Sequence, residues 1–547
     1  MLSAFAMNPQ SSPEPAGRPA VQRDVVIDPT LGAAAPGEFA VHEPATPLTP
    51  PPDRRFVTAA MMIVMVLSSM EQTVTSTAMP TIIGDLHGLE HYSWVASIYL
   101  LACTISMPIY GRLADALGRK PIVLAAIGLF IGASVLAAFS TSMGQLIAFR
   151  GLQGLGAGGI MPVVLTILGD IFTLEERAKI QGFFSAVWGT AALAGPALGA
   201  FLVNTLGWRS IFFINLPLGL IGLLVLAWKY HDHEKPHTTD LDLPGVACLT
   251  LACSSLLLVT SGVGESTGSW LLSAGLLLVA ALTGAYFIWH ERRAANPIMA
   301  PGVLLHRAIG PSLFCSLLLG LAFLSLDTFV PLYVQGGRGG GAAAAAGVVT
   351  PVMLTWAFSG IIAAPLVVRW GFRRTSALGS LLIIAGFGGL VLGTVFSAPH
   401  AVLTATLAVT GLGFGPASMA YLLAAQNAVT WHERGLVTSS ITFFRTIGGA
   451  LGVGLLGALF NLAIAPRLAQ LRARGATPAQ VLDPRGATGL SPALVRDLQH
   501  MICGGLLWVF VAMLAFAVLQ LILTLRMPDG RPDAAVKASD LFEAAAG

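Results

Sequence analysis

Charge is scarce in this sequence. Only 10% of its 547 residues are Asp, Glu, Lys or Arg, against about 25% in soluble domains. Hydrophobic residues make up 55%, and the mean hydropathy is +0.77. Such a composition excludes a soluble globular enzyme or binding module, and a net charge of +3 spread over many short loops offers no nucleic-acid surface. Cysteine is scarce too. Cys103, Cys248, Cys253, Cys315 and Cys503 are dispersed in or beside apolar runs, with neither disulfide nor metal-ligand spacing, so no metal or other cofactor is expected. No Gly-Lys dipeptide occurs, so the phosphate-cradling Gly-x4-Gly-Lys-Ser/Thr loop of an ATP-driven pump cannot form.

What the sequence does have is a succession of apolar runs, each of roughly 20 residues and able to cross a hydrocarbon core about 30 Å thick as a helix. Fourteen are expected, beginning near Val57, Trp94, Ile122, Gln145, Gln181, Ile211, Leu243, Trp270, Ile309, Gly347, Ser376, Val402, Val437 and Met501. Residues 1–55 are Pro/Ala-rich and polar, without the pattern of a signal peptide, and read as a disordered tail. With the N-terminus in the cytoplasm, 21 of the 30 Lys and Arg residues fall on inner loops or tails. The sequence therefore predicts a multi-pass protein of the bacterial inner membrane with both termini cytoplasmic.

The chain repeats itself. At an offset of 257 residues, GLGAG (Gly154–Gly158) aligns with GLGFG (Gly411–Gly415), TLEERAKI (from Thr173) with TWHERGLV (from Thr430), and Gly195 with Gly452. Duplicated helix-loop-helix units are the sequence mark of a secondary transporter built from two bundles around a midplane site. The expected organisation is a six-helix bundle over 56–230, two extra spans with linkers over 231–307, a second bundle over 308–525 with a long outer loop at 462–500, and a tail at 526–547. The two extra spans hold no charge and are expected to face lipid or brace the halves.

Ordered motifs carry a resemblance. GRLADALGRK (Gly111–Lys120) resembles the signature loop between helices two and three of the major facilitator superfamily. RGLQGLGAGG (from Arg150) resembles its fourth-helix motif, and GTAALAGPALGAFL (from Gly189) the fifth-helix motif of its antiporters. WRSIFFINLPLG (from Trp208) and EQTVTSTAMPTI (from Glu71) narrow the likeness to the fourteen-helix drug:proton antiporters of the multidrug efflux type. The resemblance implies an all-α membrane fold and export of amphipathic or cationic compounds by alternating access in exchange for protons. It also implies gating by Gly111, Asp115, Gly118, Arg119 and Asp170, which would stabilise the outward-open state, and a hinge at Gly195, Pro196 and Gly199. Physical reasons run alongside. Asp115 and Arg119 can pair across a cytoplasmic gate, Gly195 and Gly199 make a small-residue face, and Pro196 removes a helix hydrogen bond. The second half has RWGFRR at Arg369 but Val368 in place of Asp115.

Four charges fall well inside spans: Glu71, Arg150, Asp327 and Arg445. Each costs about 2.5–3.5 kcal/mol at a helix centre, so each needs a cavity or a partner. Burial favours the protonated form of a carboxylate and a nearby cation the charged form, so a Glu beside a movable Arg can load and release a proton. Glu71 is the expected principal proton site, Asp327 a second acid for protons or cationic substrate, and Arg150 and Arg445 the groups that tune them. A permanent structural ion pair is the alternative. Candidate walls of an apolar substrate cavity are Trp188, Phe184, Tyr333, Trp356 and Phe443.

A membrane enzyme would need a catalytic cluster near one surface, and the 462–500 loop, with Asp483, Asp497 and His500, contains none. That loop reads as a short amphipathic helix (APRLAQLRARG), a Pro/Gly-rich turn and an extension of the last span from a Ser491-Pro492 cap. It could contact a periplasmic adaptor or serve export of a lipid, siderophore or other metabolite. The expected partners are a small amphipathic substrate, protons and the bilayer, in a monomer.

Overall fold

A computed structural model describes residues 53–86, 92–172, 174–232, 242–260, 270–294, 297–299, 301–307, 309–429, 433–473 and 491–530. Both expected tails lie almost wholly outside these residues, as does 474–490 of the outer loop. The described chain is helical. Its elements are α1 (Arg54–Leu86), α2 (Tyr92–Leu117), α3 (Arg119–Ala138), α4 (Met143–Ile171), α5 (Leu174–Leu206), the short α6 (Ser210–Phe213), α7 (Asn215–Lys229), α8 (Leu243–Thr260) and α9 (Trp270–Glu291). They continue with the short α10 (Pro301–Leu304), α11 (Gly310–Leu332), α12 (Ala342–Val395), α13 (His400–Asn427), α14 (Arg434–Ala473) and α15 (Pro492–Leu525). Ten described helices are long and apolar enough to cross a membrane.

Two of the fourteen expected spans share α12. A straight helix of its 54 residues would be about 81 Å long, far beyond a bilayer core. Gly371, at φ +81°, breaks it into two arms. A side chain strains against this left-handed backbone and glycine does not. Gly118, at φ +96°, does the same between α2 and α3, so the GRLADALGRK and RWGFRR stretches turn on equivalent glycines. The repeat is visible in packing as well. In α4, Gly154 rests on the Tyr99 carbonyl of α2 and Gly156 on the Phe130 backbone of α3; in α13, Gly411 rests on the Val352 carbonyl and Gly413 on the Gly379 carbonyl, one on each arm of α12. A Cβ at any of these positions would overlap the neighbouring backbone, which is why small residues repeat there.

In the first bundle α4 packs on α2 and α3, and α1 on α5 and α7; in the second, α13 packs on α12, and α14 on α11 and α15. The halves meet through α2 against α14, α4 against α14, and α5 against α12. The hairpin α8–α9 is the inserted pair. Its α8 packs on both α2 and α14 and so spans the junction of the halves, while α9 is left almost wholly unburied. At one end of the hairpin Asp242 contacts the His290 Nε2 at 2.8 Å, and the buried Glu291 carboxylate accepts the Ile298 and Met299 amides. Two details of the outer loop differ in kind. Ser491 caps α15 by accepting the Leu494 amide, but the APRLAQLRARG stretch, as far as Ala473, is the end of α14 and not a separate helix. The chain has no glycine between Pro466 and Ala473 to end the helix, and one proline removes only one backbone bond.

Candidate functional site

Glu71 sits in α1 with only 3% of its surface exposed, and Arg150 of α4 with 1%. The sequence brings them together because both helices pass through the first bundle and a lone charge there must find its opposite. Arg150 donates to the Glu71 Oε1, which also accepts the Thr75 hydroxyl at 3.1 Å. Glu71 Oε2 accepts the Asn215 Nδ2 of α7 at 2.7 Å. Asn215 donates in addition to the Ser134 hydroxyl of α3, which also accepts from Gln153 and itself donates to the Phe212 carbonyl. The guanidinium has other places to go. It donates to the Gln153 Oε1 at 2.7 Å and to the Val95 carbonyl at 3.4 Å, and lies over the Tyr99 ring at 4.2 Å. Six elements of one bundle thus contribute to the network around a single carboxylate. A small cavity of about 10 Å³, lined by Glu71, Asn215 and apolar side chains of α1, α6 and α7, adjoins it; a single water needs about 10–15 Å³ on this measure.

A second cluster closes the seam between the halves. Asp115, at the end of α2, pairs with Arg119 at 2.9 Å and accepts the Gly435 and Leu436 amides at 3.1 and 2.7 Å. Those amides open α14, so the carboxylate of one half caps a helix of the other and meets its positive dipole end. Arg119, fully buried, also reaches Asp170 at 3.2 Å. Arg434 of the second half donates to the Gly169 carbonyl at 3.1 Å and faces Asp170 at 3.5 Å. Gly111 lets α2 approach Ser439 and Gly435 so closely that a Cβ would overlap both. Both carboxylates come from the first half; the equivalent positions of the second are Val368 and Asn427. Asp232, beyond α7, caps α3 through the Arg119 and Lys120 amides, next to Gly118. Burial, with the Asp170 and Asp232 carboxylates nearby, pushes the Tyr230 phenol well above its ordinary value, so it stays neutral.

The remaining candidates are dispersed. Gly195 and Gly199 are buried in α5, which runs unbroken through position 196; the side chains of Pro196 and Trp188 lie outside the described residues. Phe184 is fully buried, Tyr333 packs edge-on against Phe510 at 5.7 Å, and Phe443 packs against Phe444. Trp356 is half-buried and meets Phe323 edge-on at 4.8 Å and Phe414 at a tilt at 5.3 Å. Asp327 is exposed one helical turn beyond Phe323, on the same side of α11, and makes no ion pair among the described residues. Arg445 reaches across the seam to the Met161 sulfur of α4 at 3.8 Å. The four intramembrane charges therefore form one pair and two separate groups.

The profile of the Major Facilitator Superfamily matches residues 61–453. The chain belongs to the major facilitator superfamily. It is 35% identical over 75% of its length to the multidrug transporter protein MdtP of Bacillus subtilis, covering 75% of that protein. It is 30% identical over 74% of its length to multidrug resistance protein 3 of the same organism, covering 79% of it. Among solved structures, the proton:xylose symporter XylE superposes with a TM-score of 0.58 at 15% identity, over 89% of this chain and 98% of that one; this likeness shows the fold alone. As a major facilitator, the protein is a multi-pass membrane transporter of small molecules, not an enzyme.

Several polar members of this facilitator's clusters carry no formal charge, and reading charges alone passes over them. Ser134, Gln153 and Asn215 are each at most 3% exposed. The usable signal is an amide or hydroxyl inside a motif otherwise apolar, as Asn215 is in FFINLPLG and Gln153 in RGLQGLG. Arg434 belongs to the Glu-Arg loop of the repeat, and nothing in that loop specifies Asp170 as its partner.

Proposed function

We propose that this transporter is a proton-driven exporter of amphipathic compounds, the drug-like toxic compounds suggested by its relatives' names among them, across a bacterial inner membrane with both termini in the cytoplasm. The observation that carries the reading is the Glu71–Arg150 pair with its spare acceptors. Arg150 can leave Glu71 for Gln153, Val95 and the Tyr99 face without losing all compensation. A carboxylate left in that enclosure without its cation takes up a proton, because an unpaired buried charge is costly. Return of Arg150 expels the proton. Two states of one side chain thus give a proton-loaded and a proton-free form.

The seam is the gate in this reading. Asp115, Arg119, Asp170 and Arg434 hold α2 and α4 to α14, and Gly111 allows the contact. Opening toward the cytoplasm parts the Asp115 carboxylate from the α14 amides, and the Gly195/Gly199 face of α5 accommodates the motion as a hinge. Trp356, with Phe323 and Phe414, offers an aromatic wall, and Asp327 one turn away holds a cationic group.

Purified protein in proteoliposomes, supplied with amphipathic dyes under an imposed pH gradient, tests this. Dye movement opposite to the proton gradient, abolished by collapsing that gradient, supports it. Movement indifferent to the gradient rules it out.

A further inference from the structure

Arg445 is the charge that the proton cycle does not use. Its backbone is fixed: Gly320 of α11 lies on the Arg445 carbonyl and Gly448 on the Leu317 carbonyl, each too close for a Cβ. From that anchor in the second half the side chain crosses to the first, where its guanidinium meets the Met161 sulfur, and the next residue, Thr446, meets the Met107 sulfur at 3.8 Å. The Thr446 hydroxyl also donates to the Thr442 carbonyl at 3.0 Å, whereas among the described residues the guanidinium has only a thioether, a weak acceptor. No carboxylate, phenol or carbonyl accepts from the Arg445 guanidinium among the described residues. Arg445 nevertheless retains some surface accessibility, and neither its Nε nor its Nη1 is both sealed from solvent and without a partner. A cation well inside a membrane helix costs about 2.5–3.5 kcal/mol. The other cations of the two clusters each meet a carboxylate: Arg150 has Glu71, Arg119 has Asp115 and Asp170, and Arg434 has Asp170.

We propose that Arg445 anchors a carboxylate on the transported compound, so that the preferred substrates are amphipathic acids and amphoteric molecules instead of simple cations. The inference rests on the export reading and adds a substrate class to it. A planar guanidinium with five donors matches a carboxylate in bidentate fashion. Its place between α4 and α14 means a bound anion touches both halves at once, which is what a cargo that couples their movement must do. Asp327 is separate: it lies seven residues beyond Gly320 on α11, about 10 Å along the helix. An amphoteric compound of that length offers its amine there while its acid engages Arg445.

Two dyes differing only in this group test the idea: rhodamine 110, a free acid, and rhodamine 123, its methyl ester. Binding to the purified protein is read by fluorescence anisotropy and transport in proteoliposomes. The parent is expected to bind the acid at least about tenfold more tightly than the ester, the effect of one charge-assisted pair. Arg445→Gln should erase that preference and leave the ester's Kd unchanged, and Arg445→Lys should restore part of it. The unchanged ester also shows that the variant is folded. Equal affinity of the parent for both dyes, equal weakening of both by Arg445→Gln, or binding of neither overturns the proposal. Dyes that bind but do not move with the proton gradient overturn the export reading instead and leave the anchor standing.

Discussion

Breaking the Glu71–Arg150 pair from either side should cost far more than removing both partners. Glu71 accepts from three donors, Arg150, Thr75 and Asn215, and Arg150 has one carboxylate, one amide oxygen and one carbonyl as acceptors. Glu71→Gln keeps one acceptor oxygen but turns an NH2 toward one of those donors and leaves a guanidinium uncompensated in a site about 1% exposed. Removing one partner of a buried pair costs about 3–5 kcal/mol. Arg150→Gln leaves Glu71 with the Thr75 and Asn215 donors, which places it near the lower end, about 3 kcal/mol. In Glu71→Gln/Arg150→Gln two neutral amides can bond to each other and to Asn215 and Gln153, so the double variant should lose less than either single, which puts it at least about 3 kcal/mol below their sum. Unfolding in SDS titrated against a mild detergent, followed by tryptophan fluorescence, gives the three free energies. Single variants that each cost under about 1 kcal/mol and add in the double would refute the reasoning, because the pair would then carry no compensated buried charge.

Three further outcomes follow from the packing and the seam. Asp115→Asn removes the charge that caps α14 and pairs with Arg119, worth about 1.5–3 kcal/mol for hydrogen bonds to a charged group; alkylation of a cysteine placed at the buried Ser439 should rise about tenfold or more, and an unchanged rate would deny the cluster a gating role. Gly320→Ala drives a methyl into the Arg445 carbonyl and should lower stability by about 1–3 kcal/mol in the same SDS titration. Gly371→Ala forces a Cβ onto a backbone at φ +81° and should cost about 1–2 kcal/mol, whereas Gly388→Ala, with open space around it, should cost nothing measurable.

How much of this is legible in the sequence depends on the length scale. The spans are, because an apolar run of about 20 residues admits one structure in lipid, and the repeat shows because its glycines meet the same backbone contacts in each half. The need of Glu71 for a base is also legible, since charge is so scarce that an intramembrane acid has few candidates. The choice between Arg150 and Arg445 is not, because it depends on which helices adjoin, and α1 adjoins α4 while α14 lies across the seam. The partners of Asp115 are hidden for another reason: two are backbone amides of Gly435 and Leu436, which any residue supplies. The continuation of α14 to Ala473 is a boundary effect, set by the lack of a helix-ending glycine there and not by hydropathy.

The most direct test of proton exchange is made without a membrane. The dye transported best in the gradient assay is added to purified protein in weakly buffered detergent solution, and proton release is followed with a pH indicator. The account predicts release of about one proton per dye bound by the parent, and none by Glu71→Gln at equal dye occupancy. Equal release by both proteins would contradict it, as would dye binding by the parent without any release.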